Sequence, residues 1–556
     1  MKNSSKPTLQ NLLSITGKET RKKINITILI SIFVACLEVL SVGSVFPIIF
    51  ILNNENYTLN IAGENFFIGI NQFVIGLLAL LGLTTLFKII LFKRINELGH
   101  SISVEIASRI YAITLNMRLD EIMSINSSKV IDFVLQKPEL VVGYVKSYIN
   151  IFTSAIISFG IVLLLIYKAP IFTFIAILLI GLYFISVLTL YRTKLKIDSL
   201  YIAENSSSLI KLIQESFHGI KEIIINNEAK FRADYLVDKY RKLHNAQKNL
   251  QFKAGLPRII FEFYITAMIV TLLIVVLNWS LLSKVELVAF LALVGLSMQR
   301  LLPLTNMIYG SWIEIKGHEN AIKDACDFIA KYEKKSELDS SKNIFFSKEI
   351  KVQDVNYSYD NQESIYKKNI NFKIKKGQKI LILGESGSGK STLINMLCGL
   401  ILPKTGKIIV DEIYSAEGPA WYRNISLVPQ HLLLNDDSVK NNIILNNIYD
   451  ESKFRKVIQM CLLEDLFSSR NGDENFIVGE FGGRISGGQK QRIGLARAMY
   501  RDSEILVLDE ITSGINEELE ADLLKNLLKM DQTLIFITHN KKLVCEFDQT
   551  INLDEL

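Results

Sequence analysis

A chain of 556 residues is too long for a single core, and 49% hydrophobic residues with a mean hydropathy of +0.28 are high for a water-soluble protein. The net charge of +6 does not mark a nucleic-acid binder, because Lys and Arg crowd beside apolar spans instead of forming a basic stripe interleaved with aromatics. Cys36, Cys326, Cys398, Cys461 and Cys545 show neither metal-ligand spacing nor an even-numbered framework, which excludes a disulfide scaffold.

Residues 1–23 are polar and charged, and the apolar run behind them is too long for a signal-peptide core, so a cytoplasmic segment and a retained span are expected. A bilayer core takes roughly 20 apolar helical residues. Ile24 to Leu52, Phe73 to Phe92, Val141 to Tyr167, Ile171 to Leu190, Ile259 to Leu277 and Val285 to Tyr309 meet that length, which predicts six spans. Basic residues fix the orientation. Lys18, Arg21, Lys22 and Lys23 precede the first span; Lys93, Arg94, Arg109, Arg118 and Lys129 follow the second; Arg192, Lys194 and Lys196 follow the fourth. The connections at residues 53–72, 168–170 and 278–284 are nearly free of Lys and Arg and are expected outside, with both termini cytoplasmic. The predicted layout is a transmembrane domain over 24–316, a linker over 317–346 and a water-soluble domain over 347–556.

Both long cytoplasmic segments carry helical patterning, with Ile106, Ile110, Ile113 and Leu115 in one and Leu209, Leu212, Ile213 and Phe217 in the other. They are expected to extend the helices towards the second domain. Ionisable residues inside spans are costly and therefore informative. Glu38 falls in the first span, Lys88 in the second and Arg300 in the sixth, while Arg258 and Glu262 lie one turn apart in the fifth. Internal pairing and snorkelling of Lys88 would account for them. Alternatively, Lys88 and Arg300 form a basic cavity wall suited to an anionic, phosphate-bearing substrate, with Pro47 and Pro303 kinking their helices.

The second domain opens its chemistry at Ile380-Leu381-Ile382-Leu383, an apolar strand running into Gly384-Glu385-Ser386-Gly387-Ser388-Gly389-Lys390-Ser391-Thr392. This is a G-x-x-x-x-G-K-[ST] phosphate loop in its strand–loop–helix setting. Glycines let backbone N–H groups point at phosphate oxygens at a helix N-terminus that favours anions. ATP is the expected cofactor, with Lys390 on its β and γ phosphates and the Ser391 hydroxyl on Mg²⁺. A second apolar strand, Ile505-Leu506-Val507-Leu508, ends in Asp509-Glu510. Asp509 suits Mg²⁺, and Glu510 is placed to polarise an attacking water; alone, two such acids would simply be solvated.

Between these lies Ile485-Ser486-Gly487-Gly488-Gln489, followed by the helix former Gln491-Arg492-Ile493-Gly494-Leu495-Ala496-Arg497. The run resembles the signature motif of ABC transporters, and the resemblance extends over the whole chain. It implies a six-helix all-α transmembrane domain of the ABC exporter type followed by an α/β P-loop ATPase. It also implies a homodimer with composite ATP sites, in which Ser486, Gly487 and Gly488 reach the γ phosphate held by the partner. Further matches follow in order: Tyr359 with the aromatic that stacks on adenine (otherwise a strand core residue), Gln430 with the Q-loop glutamine that approaches Mg²⁺, Val478-Gly479-Glu480 with an exporter-type segment, and His539 with the switch histidine. His431 is read as a surface histidine. Ile485 stands where the family has Leu, and Asn516 in Ser513-Gly514-Ile515-Asn516 stands where its D-loop has Asp, which removes a charge. Glu510 and His539 are intact, so hydrolysis is expected.

A membrane domain ahead of the ATPase resembles exporter half-transporters. Leu256-Pro257-Arg258-Ile259-Ile260-Phe261-Glu262, Gln299-Arg300-Leu301-Leu302-Pro303 and Glu38 resemble bacterial lipid-linked oligosaccharide flippases of the inner membrane, and residues 53–72 would hold their short external helix. Met307 departs from that group, which has a second basic residue there. Peptide, lipid or drug exporters share this architecture, although the segment before the first span leaves no room for a peptidase domain; a non-pumping regulatory protein is the third reading. The chain ends soon after its last strand, without the C-terminal helices of many relatives, and Leu553-Asp554-Glu555-Leu556 resembles a retention tail by coincidence.

Overall fold

The computed structural model describes residues 8–44, 57–61, 64–68, 70–168, 170–279, 284–336, 344–359, 363–469, 472–511 and 516–555. Two compact units emerge, one of residues 1–117 and 124–336 and one of residues 118–123 and 337–556.

The first unit is helical. It comprises α1 (Thr8–Ile15), α2 (Lys18–Gly43), a hairpin of β1 (Tyr57–Ile61) and β2 (Glu64–Ile68), α3 (Ile70–Leu115), α4 (Ser127–Ile131), α5 (Lys137–Lys168), α6 (Pro170–His218), α7 (Ile220–Ile225), α8 (Ala229–Trp279) and α9 (Lys284–Ser336). Within the described residues, Lys18–Gly43, Asn71–Leu115 and Ser127–Tyr167 are long and apolar enough to cross a membrane, each with a mean hydropathy of 2.4. The expected fourth, fifth and sixth spans lie within α6, α8 and α9. The last of these helices runs to Ser336, well into the stretch expected as a linker.

Two expectations are corrected here. The external helix anticipated in residues 53–72 is an antiparallel hairpin in its described part, with Ile61 opposite Glu64 across a two-residue Ala62-Gly63 connection. Tyr57, Thr58, Ile61, Phe66, Phe67 and Ile68 supply the β-branched and aromatic content of a strand pair. The patterning of the cytoplasmic extensions holds for Ile106, Ile110, Ile113, Leu209 and Leu212, which are buried, but Leu115, Ile213 and Phe217 are exposed. Pro47 lies outside the described residues, as do the side chain of Arg258 and its anticipated pairing with Glu262.

The polar N-terminal segment contains α1, which the apolar count missed because only one face is buried, on Leu12. A clasp from α3 holds the elbow between α1 and α2. Glu105 accepts from Gly17 N–H at 2.6 Å and from the Thr20 hydroxyl at 2.9 Å, a carboxylate on a helix N-terminus. One turn on, Arg109 donates to the Ile15 carbonyl at the end of α1 and pairs with Glu333 of α9.

The second unit is built on two sheets. A four-stranded antiparallel sheet contains β3 (Glu349–Asn356), β4 (Ile370–Lys375), β6 (Thr405–Val410) and β7 (Tyr414–Ser415) in the order β4-β3-β6-β7. A parallel sheet contains β5 (Lys379–Leu383), β8 (Ile425–Val428), β9 (Ile505–Asp509), β10 (Thr533–Thr538) and β11 (Gln549–Asn552) in the order β11-β5-β10-β9-β8. Its central strands are buried on both faces, and for that reason they read as unbroken apolar runs instead of alternating ones. Residues 118–123 belong with this unit, Leu119 N–H donating to the Leu400 carbonyl at 3.2 Å.

Candidate functional site

Parallel pairing sets Leu383 opposite Thr538, Ile537 opposite Asp509 and Leu508 opposite Val428. The loop after β5, Gln430 after β8, Asp509-Glu510 at the end of β9 and His539 after β10 therefore leave the sheet along one edge. Open α/β sheets hold their ligands at this carboxyl edge.

The phosphate loop leads into a helix over Lys390–Leu397. Gly389 sits at φ +90°, and a Cβ there would come 2.7 Å from Ile365 Cγ2 and from Tyr366 Cε1. The buried Tyr366 also donates its hydroxyl to the Gly389 carbonyl at 2.8 Å. A Cβ at Gly384 would meet Ser388 Oγ at 2.3 Å, so that hydroxyl would have to turn away. At the loop's start, Glu385 N–H donates to Asp554 Oδ1 at 2.8 Å, so the residues resembling a retention tail are packed against the loop. Glu385, Ser386, Gly387 and Ser391 are exposed, whereas Lys390 is buried and folds back onto the Gly384 and Glu385 carbonyls at 2.6 and 2.9 Å. Ser388 Oγ is buried with no hydrogen-bond partner among the described residues, a donor left for an acceptor such as a phosphate oxygen.

Glu510 gathers the rest. Gln430 Nε2 donates to its Oε2 at 2.6 Å, and Lys390 Nζ and His539 Nδ1 both lie 3.8 Å from its Oε1. Its backbone sits at φ +50°, a left-handed conformation uncommon for a residue with a side chain and characteristic of functional sites. No sequence signal announced that strain. Burial first, and the charge of Glu510 second, hold the Asp509 carboxyl above its ordinary range, against the pull of Lys390, His431 and the Ser391 hydroxyl. Two neighbouring carboxylates with an alcohol and an amide oxygen form an all-oxygen donor set, which fits Mg²⁺. Ser391, Gln430 and Asp509 would hold it. His431 is exposed, yet near enough to Asp509 to lower its proton affinity.

Tyr359 lies beyond the end of β3 and is 41% exposed, so it is not a strand core residue. Its edge packs on Tyr357 with centroids 5.1 Å apart, and its hydroxyl lies 3.2 Å from Thr392 Oγ1, which leaves an aromatic ring beside the phosphate loop. Ser486 stands apart from this cluster. It caps the helix over Gly487–Tyr500 in a reciprocal capping box, accepting from Gln489 N–H at 3.2 Å while Gln489 Oε1 accepts from Ser486 N–H at 3.0 Å. Among the described residues no hydrogen bond or ion pair joins Ser486, Gly487, Gly488 or Gln489 to the phosphate loop. Val478 and Gly479 are buried, and Glu480 is exposed. Ser513 to Ile515 fall outside the described residues; Asn516 caps the helix over Glu517–Leu528, accepting from Leu519 N–H at 3.2 Å.

The profile described as ABC transporter matches residues 367–513, the stretch from the phosphate loop to the acidic pair. The chain carries an ABC transporter domain. The chain is similar to a lactococcin-G-processing and transport ATP-binding protein of Lactococcus lactis, 32% identical over 233 residues, 41% of this chain and 33% of that protein. An ATP-dependent lipid A-core flippase of Idiomarina loihiensis is 26% identical over 353 residues, 61% of this chain and 59% of the relative. Among such curated relatives the matched stretch is therefore less than two thirds of their length. A solved bacterial Atm1-family ABC exporter with ATP bound superposes with a TM-score of 0.78 over 96% of this chain and 94% of that one, at 17% identity. The fold is that of an ABC exporter, with helical transmembrane region and ABC domain in the expected order.

In the helical unit, Glu38, Lys88 and Arg300 converge on a cleft of about 550 Å³ between α2, α3, α5 and α9. Lys88 pairs directly with Glu38, and Arg300 Nη1 lies 3.9 Å from the same carboxylate oxygen. The expected basic wall thus has an acid built into it, and Lys88 makes a specific pair where snorkelling alone was the other reading. Three separate helices supply the three charges, so no sequence spacing could have shown the pairing. Met307 lines the same cleft and accepts from the Ser154 hydroxyl at 3.3 Å.

Proposed function

We propose that this chain is one half of an ATP-driven exporter of a bacterial inner membrane, working as a homodimer with composite ATP sites and moving a lipid-linked oligosaccharide or related lipid-linked glycan. The convergence of Glu510, Gln430, Lys390 and His539 at the edge that carries the phosphate loop supports the ATPase part of this reading. In that role Tyr359 offers its ring to adenine, and the loop's N–H groups and Lys390 bind the phosphates once Lys390 lets go of the loop carbonyls. Glu510 takes the proton of the attacking water, with Gln430 and His539 orienting its carboxylate. Bound Mg²⁺ would neutralise charge on the phosphates during transfer. Ser486, Gly487 and Gly488 make no contact with their own phosphate loop among the described residues, which suits a signature helix that serves the partner's ATP.

The cleft supports the cargo class. Lys88 and Arg300 are 43% and 50% exposed beside Asn150 and Gln299, a set of donors next to the apolar side chains of Leu91, Phe92, Ile95 and Leu304, which matches a phosphate joined to a lipid. Reconstitution of the full chain in nanodiscs tests it. A lipid-linked saccharide should stimulate ATP hydrolysis; stimulation by peptides and not by the glycolipid would replace this cargo with a peptide, as the name of the lactococcal relative would have it.

A further inference from the structure

The carboxylate of Glu38 lies at the back of the cleft, 9% exposed, while the two cations that share its Oε1 stand in front of it, about half exposed. Glu38 lines the cleft as well, but an anion entering it meets the more exposed Lys88 and Arg300 more readily than the carboxylate they share. Two cations and one acid leave a net charge of +1. Without the acid, Lys88 and Arg300 would present +2 from a wall where charge is poorly screened, and a bound phosphate would be held correspondingly harder. A transporter that must release its cargo gains nothing from such a grip.

We propose that Glu38 is a built-in counter-ion that sets the affinity of this site for a phosphate group, weakening capture so that release stays fast. The proposal rests on the cargo reading above. Glu38 is a positioning and charge-setting residue, since its mostly buried carboxylate is engaged by the two cations. Asn150 and Gln299, which line the cleft from α5 and α9, supply neutral donors whose contribution is independent of Glu38.

The test uses the full chain in phosphatidylcholine nanodiscs, with a polyprenyl phosphate in the bilayer as one probe and inorganic phosphate in solution as the other. Stimulation of ATP hydrolysis is titrated for each. Glu38→Gln should lower the half-saturating polyprenyl phosphate concentration by about tenfold and lower the maximal stimulated rate with it. Glu38→Gln combined with Lys88→Gln restores the net charge of +1 and should bring both values back towards wild type. A purely structural role for Glu38 would lower the maximal rate but would not lower the half-saturating concentration, which a loss of folded protein leaves unmoved. Glu38→Asp keeps the charge, folds independently of the neutral variant, and should stay within about twofold of wild type. Half-saturation that rises in Glu38→Gln, or a double variant no better than the single one, overturns the counter-ion role while leaving the cargo reading intact. Wild type that answers to neither probe but answers to peptides overturns the cargo reading, and the counter-ion role falls with it. Response to inorganic phosphate as strong as to the lipid places the recognition on the phosphate alone and supports the charge-setting role without the lipid.

Discussion

Gly389→Ala isolates one feature of the phosphate loop, the close approach of Ile365 and Tyr366 to a left-handed backbone. A Cβ at φ +90° costs about 1–2 kcal/mol in the backbone alone. The same atom would lie 2.7 Å from two neighbours that cannot easily move. Tyr366 is 3% exposed with its hydroxyl bonded to Gly389, and Ile365 N–H is held by the Tyr357 carbonyl at 2.8 Å. Forcing an extra methyl into such packing costs about another 1–3 kcal/mol, so the loop should lose about 2–5 kcal/mol. Gly387→Ala is the control: its φ is +88°, but nothing lies within 4 Å of the added Cβ, so only the backbone cost applies. Amide hydrogen exchange over residues 379–397, in the full chain without nucleotide, reads both. Protection should fall by about 30-fold or more in Gly389→Ala and by clearly less in Gly387→Ala. Equal losses would refute the reasoning, because they would mean that Tyr366 and Ile365 relax without cost.

Glu510→Gln should keep ATP binding and lower the hydrolysis rate by about 10²–10⁴-fold, checked by nucleotide affinity and phosphate release in the same preparation. Asn516→Ala removes a helix cap and should cost about 1 kcal/mol in denaturant unfolding of the ABC domain, whereas Asn516→Asp should be nearly neutral, since both side chains cap well. Asp411 accepts from Ser347 N–H and hydroxyl, Lys348 N–H and Glu349 N–H at 2.7–2.9 Å. Burial works against its charged form, but those hydrogen bonds prevail and hold its carboxyl below the ordinary range. With the folded value lower than the unfolded one, its stabilisation is complete above the ordinary carboxylate range and disappears as pH falls through the folded value. Asp411→Asn should therefore lower the unfolding midpoint at pH 7, with the difference from wild type shrinking at strongly acidic pH.

The motifs of the candidate site could be read in the sequence because its parts are local: a glycine loop fixed to one strand, and an acidic pair fixed to the end of another. Each motif carries its own geometry, and the parallel sheet then brings them to one edge. What stayed hidden depends on partners far away in sequence. The left-handed backbone of Glu510, the anchoring of Glu385 by Asp554 and the pairing of Lys88 with Glu38 are tertiary facts. Asn516 shows a different lesson. Read as a motif position it is a lost charge; in the fold it caps a helix, a task for which asparagine and aspartate are interchangeable. The hairpin at residues 57–68 was missed because a family resemblance outweighed a local β pattern that the residues themselves display.

The common edge from which the groups of the candidate site leave the sheet makes β5, β8, β9 and β10 a measuring frame. Relative placement of Lys390, Gln430, Glu510 and His539 is inherited from hydrogen-bond register, which changes only in whole-residue steps. Small loosening of the loops therefore leaves the spacing between the groups nearly untouched. The vulnerable positions are instead buried strand residues such as Ile382, Val507 and Ile535, further back along their strands, where a change of shape would shift a whole strand end and displace chemistry it never touches.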